Sequence, residues 1–235
     1  RKSLGSIDLD ADGNPNLSGS EVYFVGHSLG TLIGIPFVSV VNESSDPGDD
    51  ITGSVMLTPG GGIVRLLENS PSFAPTILGG LQIAAGLEQG DANLETFFNI
   101  FQAAIDTADP VNFTDNIVAS GAPMSIQQVN GDQVIPNDPL ANPLGAAFDA
   151  YLSGTQPLVD LLGATAVNSA NSPVSLNPAS ITRYLAGTHG TPVLPLGGEL
   201  DERVFAEMVA ETASIISTVG TAVIQDPAVT DPDIT

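Results

Sequence analysis

The chain has 235 residues, 27 of them acidic and 5 basic, giving a formal net charge of -22 and a pI of about 4.1. That balance argues against binding nucleic acid or an anionic membrane by general electrostatics and suits solubility in salt water. The absence of cysteine excludes both a disulfide framework and a thiolate metal site. The length allows one large core or a core with a cap. The sequence shows no internal repeat, signal peptide or apolar run of transmembrane length.

In chain order, Asp8-Leu9-Asp10-Ala11-Asp12-Gly13-Asn14 opens like a calcium loop, with carboxylates at alternate positions that could converge on a hard cation. The twelfth loop position is Gly19, and Glu21 comes two residues late. A solvated turn is therefore the main expectation, and calcium held by Asp8, Asp10 and Asp12 the minority one.

Val22-Tyr23-Phe24-Val25 has strand composition and 31–41 reads as a buried helix, with Gly26-His27-Ser28-Leu29-Gly30 between them. A G-x-S-x-G turn from strand to helix pushes the serine hydroxyl out of the backbone. Glycines on either side are expected to let the two arms pass without a Cβ clash. The helix N-terminus, with the Leu29 N–H, then faces any oxyanion that forms at the serine. Pro36 predicts a kink or an early end to the helix.

Residues 42–50 read as an acidic loop and 51–57 as the next strand, ending at Thr58-Pro59-Gly60-Gly61-Gly62. From there to the following strand lie roughly sixty residues, far more than an ordinary connection. Two apolar helices are predicted in this insertion, over 76–89 and 93–108. The second places Leu94, Phe97, Phe98, Phe101, Ala104 and Ile105 on one face. Residues 62–112 are thus expected to form a helical cap over the serine, with Phe97, Phe98 and Phe101 as acyl-chain contacts. The alternative is that this face packs on the core.

A serine needs a base and an orienting acid. His27 sits inside the elbow, where its side chain points away from the Ser28 hydroxyl, so His189 is the candidate base by elimination. Residues 125–129 read as a short strand, and Asp132 lies in the loop just past its end, placed to hold the histidine tautomer. Asp138 and Asp115 compete for that role. The connection 137–179 predicts short helices at 144–152 and 157–162. Residues 201–218 have a clear helical pattern, with Val204, Met208, Ala210 or Glu211, and Ile215 on the sheet side and Asp201 and Glu202 suited to its N-terminus. The tail 226–235 is Pro- and Asp-rich and expected to fray or to continue in a longer protein.

Four segments in order (22–30, the G-D-Q-V-I-P-N of 131–137, the stretch 183–192 with R-Y-L-A-G-T-H-G-T, and the helix around Glu207-Met208) resemble the extracellular lipase and phospholipase family of marine Gram-negative bacteria, a branch of the α/β-hydrolases. The resemblance spans most of the chain. It implies an α/β-hydrolase fold with Ser28 as nucleophile, Asp132 as acid and His189 as base. It further implies a lipid ester substrate, no cofactor, transient contact with a lipid interface, and a secreted or cell-surface enzyme. Family members carry a sizeable region before the elbow, whereas here only residues 1–21 precede the segment. The strands and oxyanion loop expected upstream are missing, and the start at Arg1 suits a catalytic-domain fragment of a longer precursor. A soluble short-chain carboxylesterase or polyesterase is the alternative within the class, and a non-catalytic binding module the alternative outside it. Oligomeric state is not indicated.

Overall fold

The computed structural model describes residues 3–138 and 152–232. Its centre is a five-stranded, wholly parallel sheet in the order β1 (Tyr23–His27), β2 (Gly53–Leu57), β3 (Met124–Val129), β6 (Ala179–Tyr184), β4 (Thr165–Val167). The register pairs His27 with Leu57, Leu57 with Gln127, and Val129 with Tyr184, so β1, β2 and β3 end close together at the carboxyl edge. A small antiparallel pair, β5 (Val174–Ser175) and β7 (Thr221–Ala222), stands apart.

Side chains alternate across a strand, and the two faces of this sheet differ in chemistry. One face is apolar. Met56, Met124, Ile126 and Ile181 pack there against Ile35 and Val38 of α1 (Leu29–Asn42), Ile117 of α5 (Thr114–Ser120), and Leu158 and Leu162 of α6 (Thr155–Leu162). The other face carries Ser125, Gln127, Thr182 and Tyr184 beside Val55 and Val129, and lies against α7 (Glu199–Thr218). Among the two residues that could continue the buried stripe of α7, Glu211 is the buried one and Ala210 is not.

α1 continues past Pro36 to Asn42 instead of stopping there. Gly34, Ile35, Val38 and Ser39 are buried on both sides of the proline, and their packing on the sheet holds the helix past the lost hydrogen bond. β1 is an edge strand, held by β2 on one side only, and Val25 on it is 47% exposed.

The long insertion holds α2 (Ile63–Asn69), α3 (Ala74–Ala85) and α4 (Ala92–Ile105) around a satellite core of Val64, Leu94 and Phe98. The predicted second helix starts one residue before the expected position and ends three residues early, passing into a short 3-10 turn at Asp106–Ala108. The helix predicted over 144–152 falls almost wholly outside the described residues. The tail, expected to fray, docks instead as far as it is described: Val229 is fully buried, Leu185 N donates to Val229 O, and Asp231 N donates to Arg183 O. No helix among the described residues is long and apolar enough to cross a membrane.

Candidate active site

Ser28 sits between the last residue of β1 and the first of α1 with φ 55 and ψ -121, a conformation that costs a non-glycine residue about 1–3 kcal/mol. Three contacts over-determine it. Ser28 N donates to Leu57 O at 3.1 Å, while Ser28 O accepts from Thr31 N at 2.8 Å and from Thr31 Oγ1 at 2.6 Å. Only one flanking glycine is required by space. A Cβ on Gly26 would meet the Phe24 ring at 2.8 Å and Gly30 O at 2.9 Å, whereas one on Gly30 meets nothing within 4 Å. The close approach runs from the Gly26 Cα to the Gly30 backbone, so the second glycine of the motif is not needed to avoid a clash. A third glycine is: a Cβ on Gly34 would lie 2.3 Å from the same Phe24 ring.

The structure brings together three of the residues singled out above. His189 Nε2 lies 2.6 Å from Ser28 Oγ, and His189 Nδ1 lies 2.7 Å from Asp132 Oδ2. The Asp132 side chain is 1% exposed and that of His189 13%. The other carboxylate oxygen of Asp132 accepts from Val134 N at 2.8 Å and Ile135 N at 3.1 Å, which fixes the group and leaves Oδ2 for the imidazole. A carboxylate oxygen accepts, so Nδ1 carries the proton and Nε2 is free to accept from the serine hydroxyl. Asp115 lies in the first turn of α5, and Asp132 is the carboxylate that meets the ring of His189.

Each loop is tied to its strand. Asn130 N donates to Tyr184 O, Gly131 N to Asn137 Oδ1, and Ser70 Oγ and Ser72 N of the insertion reach the carbonyls of Val134 and Gln133. The histidine loop hangs on Asp201 in the first turn of α7, whose buried carboxylate accepts from Thr191 Oγ1 and from Gly197 N. Thr191 Oγ1 in turn accepts from Thr188 N. The sequence suggests only a helix-terminal charge for Asp201; a buried threonine two residues after the histidine and an acid at the helix start are the sole hint of this anchor. At the helix N-terminus, Leu29 N–H is the first of the amides that have no intrahelical acceptor.

The glycine run after β2 is shaped by Asp109, which the sequence does not single out. Its buried carboxylate accepts from Gly62 N, Ile63 N, Val111 N and Gln102 Nε2. Next to it, Arg65 pairs with Glu68 and Glu95 and lies over the Phe98 ring. Burial works against the charge of Arg65, but hydrogen bonds to Glu95 and Glu68 hold its guanidinium pKa above the usual value.

Of the three phenylalanines expected to meet an acyl chain, Phe98 is only 3% exposed and belongs to the satellite core, because its ring is clamped between Val64, Leu94 and Arg65. Phe97 and Phe101 are 41% and 43% exposed and line an apolar groove of about 210 Å³ with Leu67, Ile77 and Leu81, and Phe98 also contributes to its wall. Neither Ser28 nor His189 lines that groove. The carboxylates of Asp8, Asp10 and Asp12 bring oxygens within 4.8 Å of one another, all exposed. Two of the oxygens serve the turn itself, accepting from Gly13 N and Asn14 N, and the Gly13 bond lowers the pKa of Asp8.

No protein-family model and no curated protein matches the chain. A search of solved structures finds likeness to a thioesterase domain from a curacin biosynthetic pathway, with 13% identity and a TM-score of 0.33, over 86% of this chain and 66% of that one. The chain thus spans just under two thirds of the length of that domain, at a level of likeness on which no activity carries over.

Proposed function

We propose that this chain is the catalytic domain of a serine carboxylic-ester hydrolase of the α/β-hydrolase type, acting on lipid esters as a lipase or phospholipase. The observation that carries the reading is the hydrogen-bonded line from Ser28 Oγ through His189 to Asp132, built on a strained strand-to-helix turn. In the cycle, His189 Nε2 takes the Ser28 proton as Oγ attacks the ester carbonyl. Leu29 N–H donates to the tetrahedral oxyanion, and the His189 imidazolium gives its proton to the leaving alcohol as the C–O bond breaks. Water then repeats the steps on the acyl-enzyme, releasing the acid and restoring Ser28. Asp132 holds the tautomer and offsets the imidazolium charge. No cofactor enters these steps.

The apolar groove beside Phe97 and Phe101 supports hydrocarbon as the acyl part, with the insertion 62–112 serving as a cap. The segments that resemble secreted lipases support a place outside the cell. A second reading, a soluble short-chain carboxylesterase, is favoured by the groove lining, which includes neither Ser28 nor His189. Hydrolysis of p-nitrophenyl esters from acetate to palmitate tests both. The lipase reading expects turnover of long chains that Ser28→Ala lowers by several orders of magnitude with the fold intact. Turnover confined to acetate and butyrate selects the second reading, and turnover retained in Ser28→Ala overturns the serine assignment.

A further inference from the structure

His27 reaches back to the loop that carries His189. Along β1 the side chains alternate, and Phe24 faces α1, where it fills the space left by Gly34. Val25 faces the other way and lines a cavity of about 330 Å³ with Leu57, Met208, Val209 and Ile216 of the α7 side. Two residues on, His27 shares the face of Val25, and its register partner is Leu57, which lines the same cavity. The loop of His189 descends on this face before entering α7. His27 Nε2 lies 2.7 Å from the main-chain carbonyl oxygen of His189, and the two rings pack at 5.0 Å between centroids with 39° between planes.

We infer that His27 is a positioning residue for the proposed reaction: its Nε2–H donates to the His189 carbonyl and sets the direction from which the base meets Ser28. A carbonyl oxygen only accepts, so Nε2 of His27 carries the proton. Consecutive residues of the elbow therefore grip His189 at two points, Ser28 at the ring and His27 at the backbone. Asp201 anchors the far end of the loop through Thr191 and Gly197 but makes no contact with the His189 peptide itself. The N–H of that same peptide, on Gly190, donates to Thr188 Oγ1 at 3.2 Å, so losing the His27 bond leaves the His189 carbonyl held from one side only and removes the tilted ring contact. Misplacement by about 1 Å costs a catalytic group on the order of 100-fold.

The inference rests on the serine-hydrolase reading, and the experiment separates the two. In the wild-type chain, ¹⁵N-histidine NMR at neutral pH reports directly which ring nitrogen of His27 bears hydrogen. A protonated Nε2 supports the bond, and a bare Nε2 overturns it whether or not the chain has any activity. His27→Leu removes the donor, while His27→Gln offers an amide Nε2–H at similar reach. The downfield proton signal of the Asp132–His189 bond is expected to broaden or shift in the Leu variant and to persist in the Gln variant. Fluorophosphonate labelling of Ser28 is expected to slow about 10- to 100-fold in the Leu variant and to recover to within a few-fold in the Gln variant, at matched melting temperatures. Equal rates and spectra in all three chains, or equal losses in both variants, would overturn the positioning role. A wild-type chain with the expected tautomer but no labelling would instead overturn the hydrolase reading.

Discussion

Glu211 is fully buried between α7 and the sheet, where its carboxyl accepts from Tyr184 Oη at 2.6 Å, Thr182 Oγ1 at 2.8 Å and Ser125 Oγ at 3.4 Å. Burial outweighs those three donors, and with Glu207 one turn away the group's pKa rises from 4.5 to about 7. Burial and the neighbouring Glu211 also raise the Tyr184 hydroxyl pKa well above its usual value, which keeps it a donor. Between the two values for Glu211 the folded chain keeps a proton that the unfolded chain has released. Its contribution to stability therefore falls as pH rises from 4.5 to about 7 and stays low above that. A rise of about 2.5 pH units, at about 1.4 kcal/mol each, makes the loss about 3 kcal/mol. Glu211→Gln keeps the shape and an accepting oxygen but has no charge to bury. Urea unfolding of both chains at fixed ionic strength, from pH 5 to 8, isolates the effect, because titrating groups that do not interact with Glu211 cancel in the difference. The variant is expected to gain about 2–3 kcal/mol on the wild type across that range, most of it between pH 5 and 7. A difference that is the same at pH 5 and pH 8 would refute the argument from burial.

Asp132→Asn favours the wrong histidine tautomer and is expected to cost about three to four orders of magnitude in kcat, while Asp138→Asn leaves ester turnover within a few-fold; steady-state kinetics on one activated ester decide between them. If Phe97 and Phe101 form an acyl site, replacing both by Ser lowers long-chain ester hydrolysis and leaves acetate hydrolysis within a few-fold, with little change in the thermal melt because both rings are already about 40% exposed. Phe98→Ala, by contrast, empties the satellite core, costs about 3–5 kcal/mol, and lowers both activities together at elevated temperature.

The elbow was legible because its signals are local: an apolar strand, a glycine-flanked serine and an apolar helix follow one another within 22–41. Pairing Ser28 with His189 and Asp132 was legible for a different reason, since only two histidines exist and Asp132 lies just past a strand end, with Asp138 and Asp115 as its competitors. Pro36 misled as a stop signal because its local penalty is smaller than the packing of Ile35 and Val38 on the sheet. The tail misled for the same reason: its Pro- and Asp-rich composition hides Val229, which fills a gap beside Tyr184 and Met208. Phe97, Phe98 and Phe101 share a helical face by periodicity, but only the position of Arg65 and Val64 decides which ring is core. Asp109 was illegible, and for Asp201 and Glu211 the helix pattern gave the position but not the partners. Each acts on groups far away in sequence, or on backbone amides that no side-chain pattern announces.

The central claim is that Ser28 is an activated nucleophile, and covalent capture by a fluorophosphonate, followed by peptide mass spectrometry, tests it most directly. The account predicts a stoichiometric adduct on the peptide containing Ser28, formed by the folded chain, lost on denaturation, absent in Ser28→Ala and strongly slowed in His189→Ala. A folded chain that forms no adduct, or carries it on another serine, would contradict the account.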